Sequence, residues 1–559
     1  MKFDATIRPG TAFAPFHWGE LFAAPGARAV NDVTIDATDP TSRQPELKSC
    51  AVRLEPISRR ASHSVTSPTR LVVVGGGPAS VAVVEEAFKH RPPSDWTITI
   101  LCGETSPPYD RIALSRALAP DGPQDLALKD PAWYRERGVR LALGQPAAGV
   151  DTAQRQVVLE SGERVPYDKL VIATGSSVAT PPILGLDLAG VIRLRTDHEA
   201  REICERVDAG ATVAVVGGGL VGLEAAAALV ERGAFVTVVH GADRLMDRQL
   251  DAGSGKWLRR SLEQRGIKAR IGSFADELIP HEGRVVGVKL KNGDVVPADL
   301  VIMATGVSPR IGVAARGGIQ TARGIVVDDQ MRTSAPDVWA VGECAQHDGT
   351  VYGTWAPIAE QARVIGADLA GRPAGFRGRP QPTRLKVPGV EVFSCGNPTR
   401  AAIGDVDIDE VVAIDSRAGT YRRLVFDGRD LIGAVLMGDT SLAGQLTELL
   451  EEGGALPDDV LDGLLSGTPP DPRAELVCSC KSVNAGTILD AIQEGAVTTD
   501  AVRQCTGASS GCGSCVTRVG QLVAQHAPAP APAAADVATG AALAADESAS
   551  TSGAVAPSV

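Results

Sequence analysis

The apolar positions of this chain fall into short continuous runs that end in glycine, the pattern of strands buried on both faces. Leu71 to Ser80 reads LVVVGGGPAS, an apolar run, a glycine-rich turn and then a helix through about Lys89, followed by a second strand in WTITILCGE. Without side chains at Gly75 and Gly77, a pyrophosphate can lie against the backbone at the helix N-terminus, where N–H groups and the helix dipole favour negative charge. Ser80 occupies the third position of G-x-G-x-x-G and is small enough for close packing. A right-handed βαβ unit puts Glu104 at the end of the second strand, where an acid accepts hydrogen bonds from an adenosine ribose.

The same grammar restarts at Ala211. ATVAVVGGGLVGLE gives a full G-x-G-x-x-G at Gly217, Gly219 and Gly222, followed by a helix and the strand FVTVVH ending at His240. This predicts a second dinucleotide site. Two apolar strands run into Ala173-Thr174-Gly175 and Ala304-Thr305-Gly306, and TSAPDVWAVGECA presents a later strand ending at Gly342-Glu343. The order of these elements predicts an α/β fold with two Rossmann-like dinucleotide-binding domains, the second inserted in the first. From Arg70 to about Gly371 the chain resembles the two-dinucleotide-binding-domain flavoproteins, with an FAD-binding domain over 69–182 and 307–372 and an NAD(P)H-binding domain over 183–306.

Within that family the likeness runs to the flavin-containing half of NAD(P)H-dependent nitrite reductase large subunits and to electron-transfer subunits of assimilatory nitrate reductases. It is carried by Tyr109-Asp110-Arg111 with Leu114-Ser115, RLMDRQLD, Gly342-Glu343-Cys344-Ala345, Tyr352-Gly353 and TRLKVPGVEVFSCG. The resemblance implies bound FAD with Glu343 on its ribityl chain, Arg111 and Arg116 along the flavin and pyrophosphate, and Glu224 near the nicotinamide. Arg116 and Glu224 are thereby the candidate catalytic residues. The cofactor-binding set is Gly75, Gly77, Ser80, Glu104, Arg111, Ala173, Thr174, Gly175, Gly217, Gly219, Gly222, Gly306, Gly342 and Glu343. As residues alone, Arg111 and Glu224 also read as members of surface ion pairs. His240 stands where an acid would select NADH and an arginine NADPH, which leans the reading to NADH.

Residues 376–455 alternate short strands, EVVAID, RRLVFD and LIGAVLMG, with one helix, SLAGQLTELLEE, as in the small α+β interface domain that closes such flavoproteins. After a Pro-rich hinge, GTPPDPRAE, five of the ten cysteines crowd together. Cys478-x-Cys480 and Cys512-x-x-Cys515 can bring four thiolates to one point, suited to a [2Fe–2S] cluster or to structural zinc. C-x-C is uncommon in zinc ribbons, and the spacing resembles the bacterioferritin-associated-ferredoxin-like domain, a small helical [2Fe–2S] fold, here over 472–526. Asn484 and Thr498 or Thr499 are candidate helix N-caps, Gly511 and Gly513 would let amides approach the sulfurs, and Cys505, off pattern, reads as a buried structural thiol. No C-x-x-C or C-x-x-x-x-C lies near the first glycine loop, which disfavours a dithiol exit for electrons.

Residues 1–56 resemble the C-terminal end of the pterin-binding domain of molybdenum nitrate reductases. The matching residues are Gly10, Phe13, Pro15, His17, Trp18, Asn31, Thr34, Asp39, Pro40, Gln44, Pro45, Glu46 and Val52 to Glu55. A remnant of a fused ancestor and a misplaced gene start both account for it, as does a loosely docked arm, and the segment is too short to hold molybdenum by itself. Residues 57–68 read as linker and 527–559, rich in Ala, Pro, Ser and Gly, as a disordered tail.

A net charge of -12 with acids and bases interspersed argues against nucleic acid, and no apolar run reaches signal-peptide or membrane-span length, so a cytoplasmic protein is expected. Together these features predict an FAD-dependent NAD(P)H oxidoreductase passing electrons through a [2Fe–2S] cluster to a protein acceptor, a molybdenum nitrate reductase. Only short low-complexity sequence follows Cys515, so nitrite reduction within the chain is not expected. A ferredoxin or rubredoxin reductase, a nitrite-reductase-related diaphorase and, from another class, a redox-sensing interaction protein stay open, as does a homodimer.

Overall fold

The computed structural model describes residues 67–378, 381–400, 408–453, 456, 461, 463, 473, 475–478, 481, 483–511, 513 and 515–527. The pterin-domain-like segment, Cys480, Cys512 and the C-terminal tail lie outside them.

The first glycine loop joins β1 (Thr69–Val74) to α1 (Pro78–His90), and β2 (Trp96–Leu101) follows. Leu71 to Val74 are all buried, as expected for a strand covered on both faces. A short helix, α2 (Leu114–Ala117), precedes β3 (Lys169–Ile172). The sheet runs Val338–Ala340, β3, β1, β2, Val139–Ala142, every pairing parallel.

The inserted domain repeats the plan. β4 (Thr212–Val216), α3 (Leu220–Glu231), β5 (Phe235–His240) and β6 (Leu300–Met303) form a parallel sheet in the order Lys268–Ile271, β5, β4, β6, Val191–Arg193. α3 is buried from Leu223 through Leu229 except at Glu224, whose environment is described below, because alanines let it lie close on the sheet. The chain then returns to the first sheet, and α4 (Trp355–Leu369) packs along α1.

Beyond residue 381, a five-stranded antiparallel sheet, ordered Thr383–Arg384, Val392–Gly396, Asp430–Met437, Thr420–Asp427, Ile408–Asp415, carries α5 (Ala443–Glu452) on one face. The cysteine module opens with β7 (Leu476–Cys478), paired to Val483–Asn484, and continues as α6 (Ala485–Gln493), α7 (Thr499–Thr506) and α8 (Val516–His526). Asn484 caps α6 by accepting from the Thr487 N–H, and Thr498, not Thr499, caps α7 by accepting from the Ala501 N–H. Among the described residues no helix is long and apolar enough to cross a membrane.

Candidate functional site

The two glycine loops are built alike. Gly75 and Gly217 take φ of +126° and +127°, and a Cβ on either would lie 2.1 Å from a carbonyl oxygen, that of Ala173 or of Ala304. Each loop therefore presses its backbone onto the first residue of an Ala-Thr-Gly turn, which only glycine permits. The helices that follow, α1 and α3, begin at Gly77 and Gly219 with no side-chain cap and no acid in the first turn. Their first N–H groups are left for a ligand, and an anion there meets the positive end of the helix dipole.

A cavity of about 890 Å³ opens at the first loop. Gly75, Gly77, Glu104, Arg111, Ala173, Thr174, Gly175, Glu224, Gly342 and Glu343 line it, together with Leu220 and Val221 from the start of α3. Ser80 stands behind the wall, fully buried, its hydroxyl donating to the Gly77 carbonyl at 2.6 Å. Gly217, Gly219, Gly222 and Gly306 belong to the second loop and do not border this cavity. Its wall from α2 is Leu114 and Ser115, while Arg116, expected along the flavin, is exposed, does not line the cavity and is turned toward the cysteine module.

Charge is concentrated at this cavity. Arg111 forms an ion pair with Glu104, to which Tyr109 also donates at 2.7 Å, and Arg195 forms one with Glu343, to which Ser176 donates at 2.8 Å. Arg310 also lines the wall, pinned by its N–H to the Gly175 carbonyl and by Thr174 Oγ1 donating to its own carbonyl at 2.7 Å. Burial and the neighbouring Arg111 and Arg195 cations hold its pKa down, and no salt bridge to its guanidinium occurs among the described residues. Glu104 and Glu343 offset two of these three guanidiniums, and Arg310 is left to meet an anionic ligand.

Glu224 lies at the far wall, accepting from Ser115 Oγ at 2.6 Å and from the Lys386 backbone N–H at 3.2 Å. Burial raises its pKa, with the Lys386 charge acting in the opposite direction. Two buried polar atoms on the wall, Thr354 Oγ1 and Trp355 Nε1, have no hydrogen-bond partner among the described residues, and they sit where α4 points its N-terminus into the cavity. These features fit a large, flat, anionic dinucleotide: a glycine cradle and arginines for a diphosphate, an acid pair for ribose and ribityl hydroxyls, and orphaned donors for ring carbonyls.

Residues 69–366 match the pyridine nucleotide-disulphide oxidoreductase family, more than half of the chain. The chain belongs to that family. Residues 382–454 match the rubredoxin NAD+ reductase C-terminal domain, 476–525 the BFD-like [2Fe-2S] binding domain, and 1–51 the molydopterin dinucleotide binding domain. The oxidoreductase is 36% identical to a nitrite reductase [NAD(P)H] of Bacillus subtilis over 82% of its own length and 57% of that protein's. It is 34% identical to an assimilatory nitrate reductase electron transfer subunit of the same organism, over 81% of its length and 59% of that protein's. The chain thus spans less than two thirds of the length of these curated relatives. The crystal structure of NADH:rubredoxin oxidoreductase from Clostridium acetobutylicum superposes with a TM-score of 0.60 at 25% identity, covering 71% of this chain and 100% of that one.

As a family member the chain is an FAD-dependent NAD(P)H oxidoreductase, and its BFD-like domain takes a [2Fe–2S] cluster. Two of the four expected sulfur ligands are described. Cys478 and Cys515 are both buried, and the Ser509 N–H donates to Cys515 Sγ at 3.2 Å, the kind of contact that favours a thiolate. Ser509 and Gly513 take positive φ to shape that loop. Cys505 corrects an expectation: it is exposed on α7, because that face of the helix turns to solvent. Cys102, near the first loop, is a single buried thiol with its pKa pushed up to about 12 by burial, beside Glu104. Arg195, Arg310 and the role of Ser115 carry no local sequence signature and emerge only from the assembled cavity.

Proposed function

We propose that this chain oxidises NADH and passes the electrons singly to a molybdenum nitrate reductase. The observation that carries the reading is that α3, which starts the second dinucleotide loop, opens with Leu220, Val221 and Glu224 directly onto the cavity of the first. A nicotinamide held by the Gly217 loop would thereby be delivered to a flavin held by the Gly75 loop. When bound, FAD accepts a hydride and releases electrons one at a time to a [2Fe–2S] cluster. The chain's own groups orient and screen: Arg111, Arg195 and Arg310 hold negative charge, Glu343 and Glu104 hold hydroxyls, and Glu224 with Ser115 borders the meeting point.

Nitrate as the final oxidant is supported by the nitrate reductase electron transfer subunit among the relatives and by the molydopterin-domain likeness of residues 1–51. The overall step balances as NADH + nitrate + H+ giving NAD+ + nitrite + water, two electrons per nitrate. The interface-domain match to rubredoxin NAD+ reductases favours a second reading, a rubredoxin-type acceptor.

Anaerobic mixing of the purified holoprotein with NADH should bleach the flavin and then the cluster, and nitrite should form on adding a purified molybdenum nitrate reductase. Faster oxidation by rubredoxin than by that enzyme would favour the second reading. A flavin that NADH does not bleach would overturn both.

A further inference from the structure

Adjacent residues of the four-residue helix α2 face two different centres. Ser115 lines the cavity and donates to Glu224, while Arg116 reaches the cysteine module, where a Cβ on Gly513 would lie 3.9 Å from Arg116 Nη1. Gly513 stands between Cys512 and Cys515 in the loop that carries the second ligand pair.

A second bridge runs beside the first. Arg384 lines the same cavity, stacks 5.6 Å from the Phe393 ring centroid, and donates from Nη1 to Thr440 Oγ1 at 3.3 Å and from Nη2 to the Leu476 carbonyl at 3.4 Å. Leu476 opens β7, the strand that ends at Cys478. The same residue is pressed onto α5: a Cβ on Gly444 would fall 2.0 Å from Leu476 Cβ, so only glycine there admits the strand. Arg518 of α8 is held by Glu475, one residue earlier, at 2.6 Å.

The strand that ends at Cys478 is thus anchored on Arg384 of the cavity wall and on α5, and the loop that carries the second pair lies beside Arg116. We propose that the cysteine module sits in a fixed seat against the flavin cavity, with Arg384 as the positioning residue that sets the spacing between the two centres. The seat rests on the electron-carrier reading above. A module on a free tether would meet the cavity only in passing, whereas a seated one keeps the separation constant, and electron transfer falls steeply with separation. The module is then a relay built into the wall, not a shuttle.

The test uses full-length holoprotein and separates two steps by stopped-flow absorbance: bleaching of flavin by NADH, and reduction of the cluster. Gly444→Val, outside the cavity lining, should unseat β7, leave flavin bleaching at the wild-type rate and slow cluster reduction by about tenfold or more, since small misplacements of reacting groups are costly. Arg384→Gln should slow the same step and Arg384→Lys should restore part of it, while in Gly444→Val the midpoint potentials of both centres should stay at wild-type values. Hydrogen–deuterium exchange should rise in peptides spanning residues 382–386 and 475–478 in Gly444→Val and in Arg384→Gln.

Cluster reduction at the wild-type rate in Arg384→Gln, or in a Gly444→Val protein with raised exchange, would overturn the seat. So would unchanged exchange in Arg384→Gln, the variant that decides if Gly444→Val does not fold. A wild-type cluster that NADH never reduces would instead overturn the electron-carrier reading.

Discussion

Ser115 Oγ lies 2.6 Å from Glu224 Oε2, a hydrogen bond across 109 residues that ties the short helix α2 of the first domain to α3, the helix of the second dinucleotide loop. It is the polar contact where the two half-sites meet.

Burial raises the Glu224 carboxyl above its ordinary range, against the opposing charge of Lys386. A carboxyl whose folded pKa exceeds its unfolded one contributes its stability in full below the unfolded value and loses it as pH rises through the folded value. Glu224→Gln is neutral throughout, so its melting temperature should gain on wild type as pH climbs from the acidic side through that raised pKa. Parallel thermal melts over a pH series check this, and a difference that stays flat with pH would contradict it.

The matched backbone contacts of Gly75 and Gly217 let the proposed assignment of the two loops be tested one at a time. Alanine at either position meets a carbonyl at 2.1 Å in a left-handed conformation, a strain of about 1–3 kcal/mol before the clash is added. Gly75→Ala should purify with little bound flavin. Gly217→Ala should stay yellow yet need a much higher NADH concentration to bleach. Flavin-to-protein ratios and NADH titrations distinguish them, and flavin loss from Gly217→Ala alone would reverse the assignment of the loops.

Asp368 fastens α4 to the edge strand that leads into Gly342 and Glu343. Its side chain is 2% exposed and accepts from Trp339 Nε1 at 2.8 Å and from Arg332 at 2.7 and 2.5 Å. Asp368→Ala leaves the indole N–H buried without an acceptor. Arg332, about half exposed, can turn to water, so the cost should be about 2–3 kcal/mol, below that of a fully buried pair. Denaturant titration measures it, and a loss under half a kcal/mol would show that the contact carries little.

What could be read from sequence follows from how local each signal is. The glycine loops, the Ala-Thr-Gly turns and the strands around them are fixed by neighbours a few residues away, and so they are legible. Arg195 meets Glu343 across 148 residues, and Arg310 reaches the cavity only because the chain returns along the first Ala-Thr-Gly turn. Nothing near either residue announces that. On α2 the difference is one position: Ser115 and Arg116 are both polar, and which one faces the cavity depends on the helix's rotation, which four residues cannot encode as periodicity. Cys505 was obscure for the same reason, since a lone thiol on a short helix gives no sign of the face it occupies.

The same contrast among cysteines can be measured. Cys515 is buried and receives an amide N–H, while Cys505 is exposed. Cys515→Ser should lower iron content and remove the cluster's visible absorption while NADH still bleaches flavin, and Cys505→Ser should keep both iron and absorption. Iron lost equally from the two variants would make Cys505 a ligand.

Nucleotide choice tests the proposal that His240 meets the nucleotide's ribose. Its Nδ1 accepts from the Gly218 N–H at 3.1 Å, so Nε2 carries the proton and faces Asp247 Oδ1 at 3.1 Å. The end of β5 is therefore closed by the His240 ring and the Asp247 carboxylate. The nearby arginine, Arg244, spends its guanidinium on the Leu250 carbonyl at 2.7 Å, on Asp243 at 2.7 Å and on the Asp247 carbonyl at 3.3 Å. A 2′-phosphate would meet the Asp247 charge with Arg244 already committed, whereas a 2′-hydroxyl can donate to that carboxylate. NADH should exceed NADPH in kcat/KM by about tenfold or more, a difference of about 1.4 kcal/mol. Asp247→Asn should narrow the ratio mainly by improving NADPH, because it removes the repulsion and keeps the partner of His240. Equal efficiency with both nucleotides in the wild type would show that His240 and Asp247 do not read the ribose.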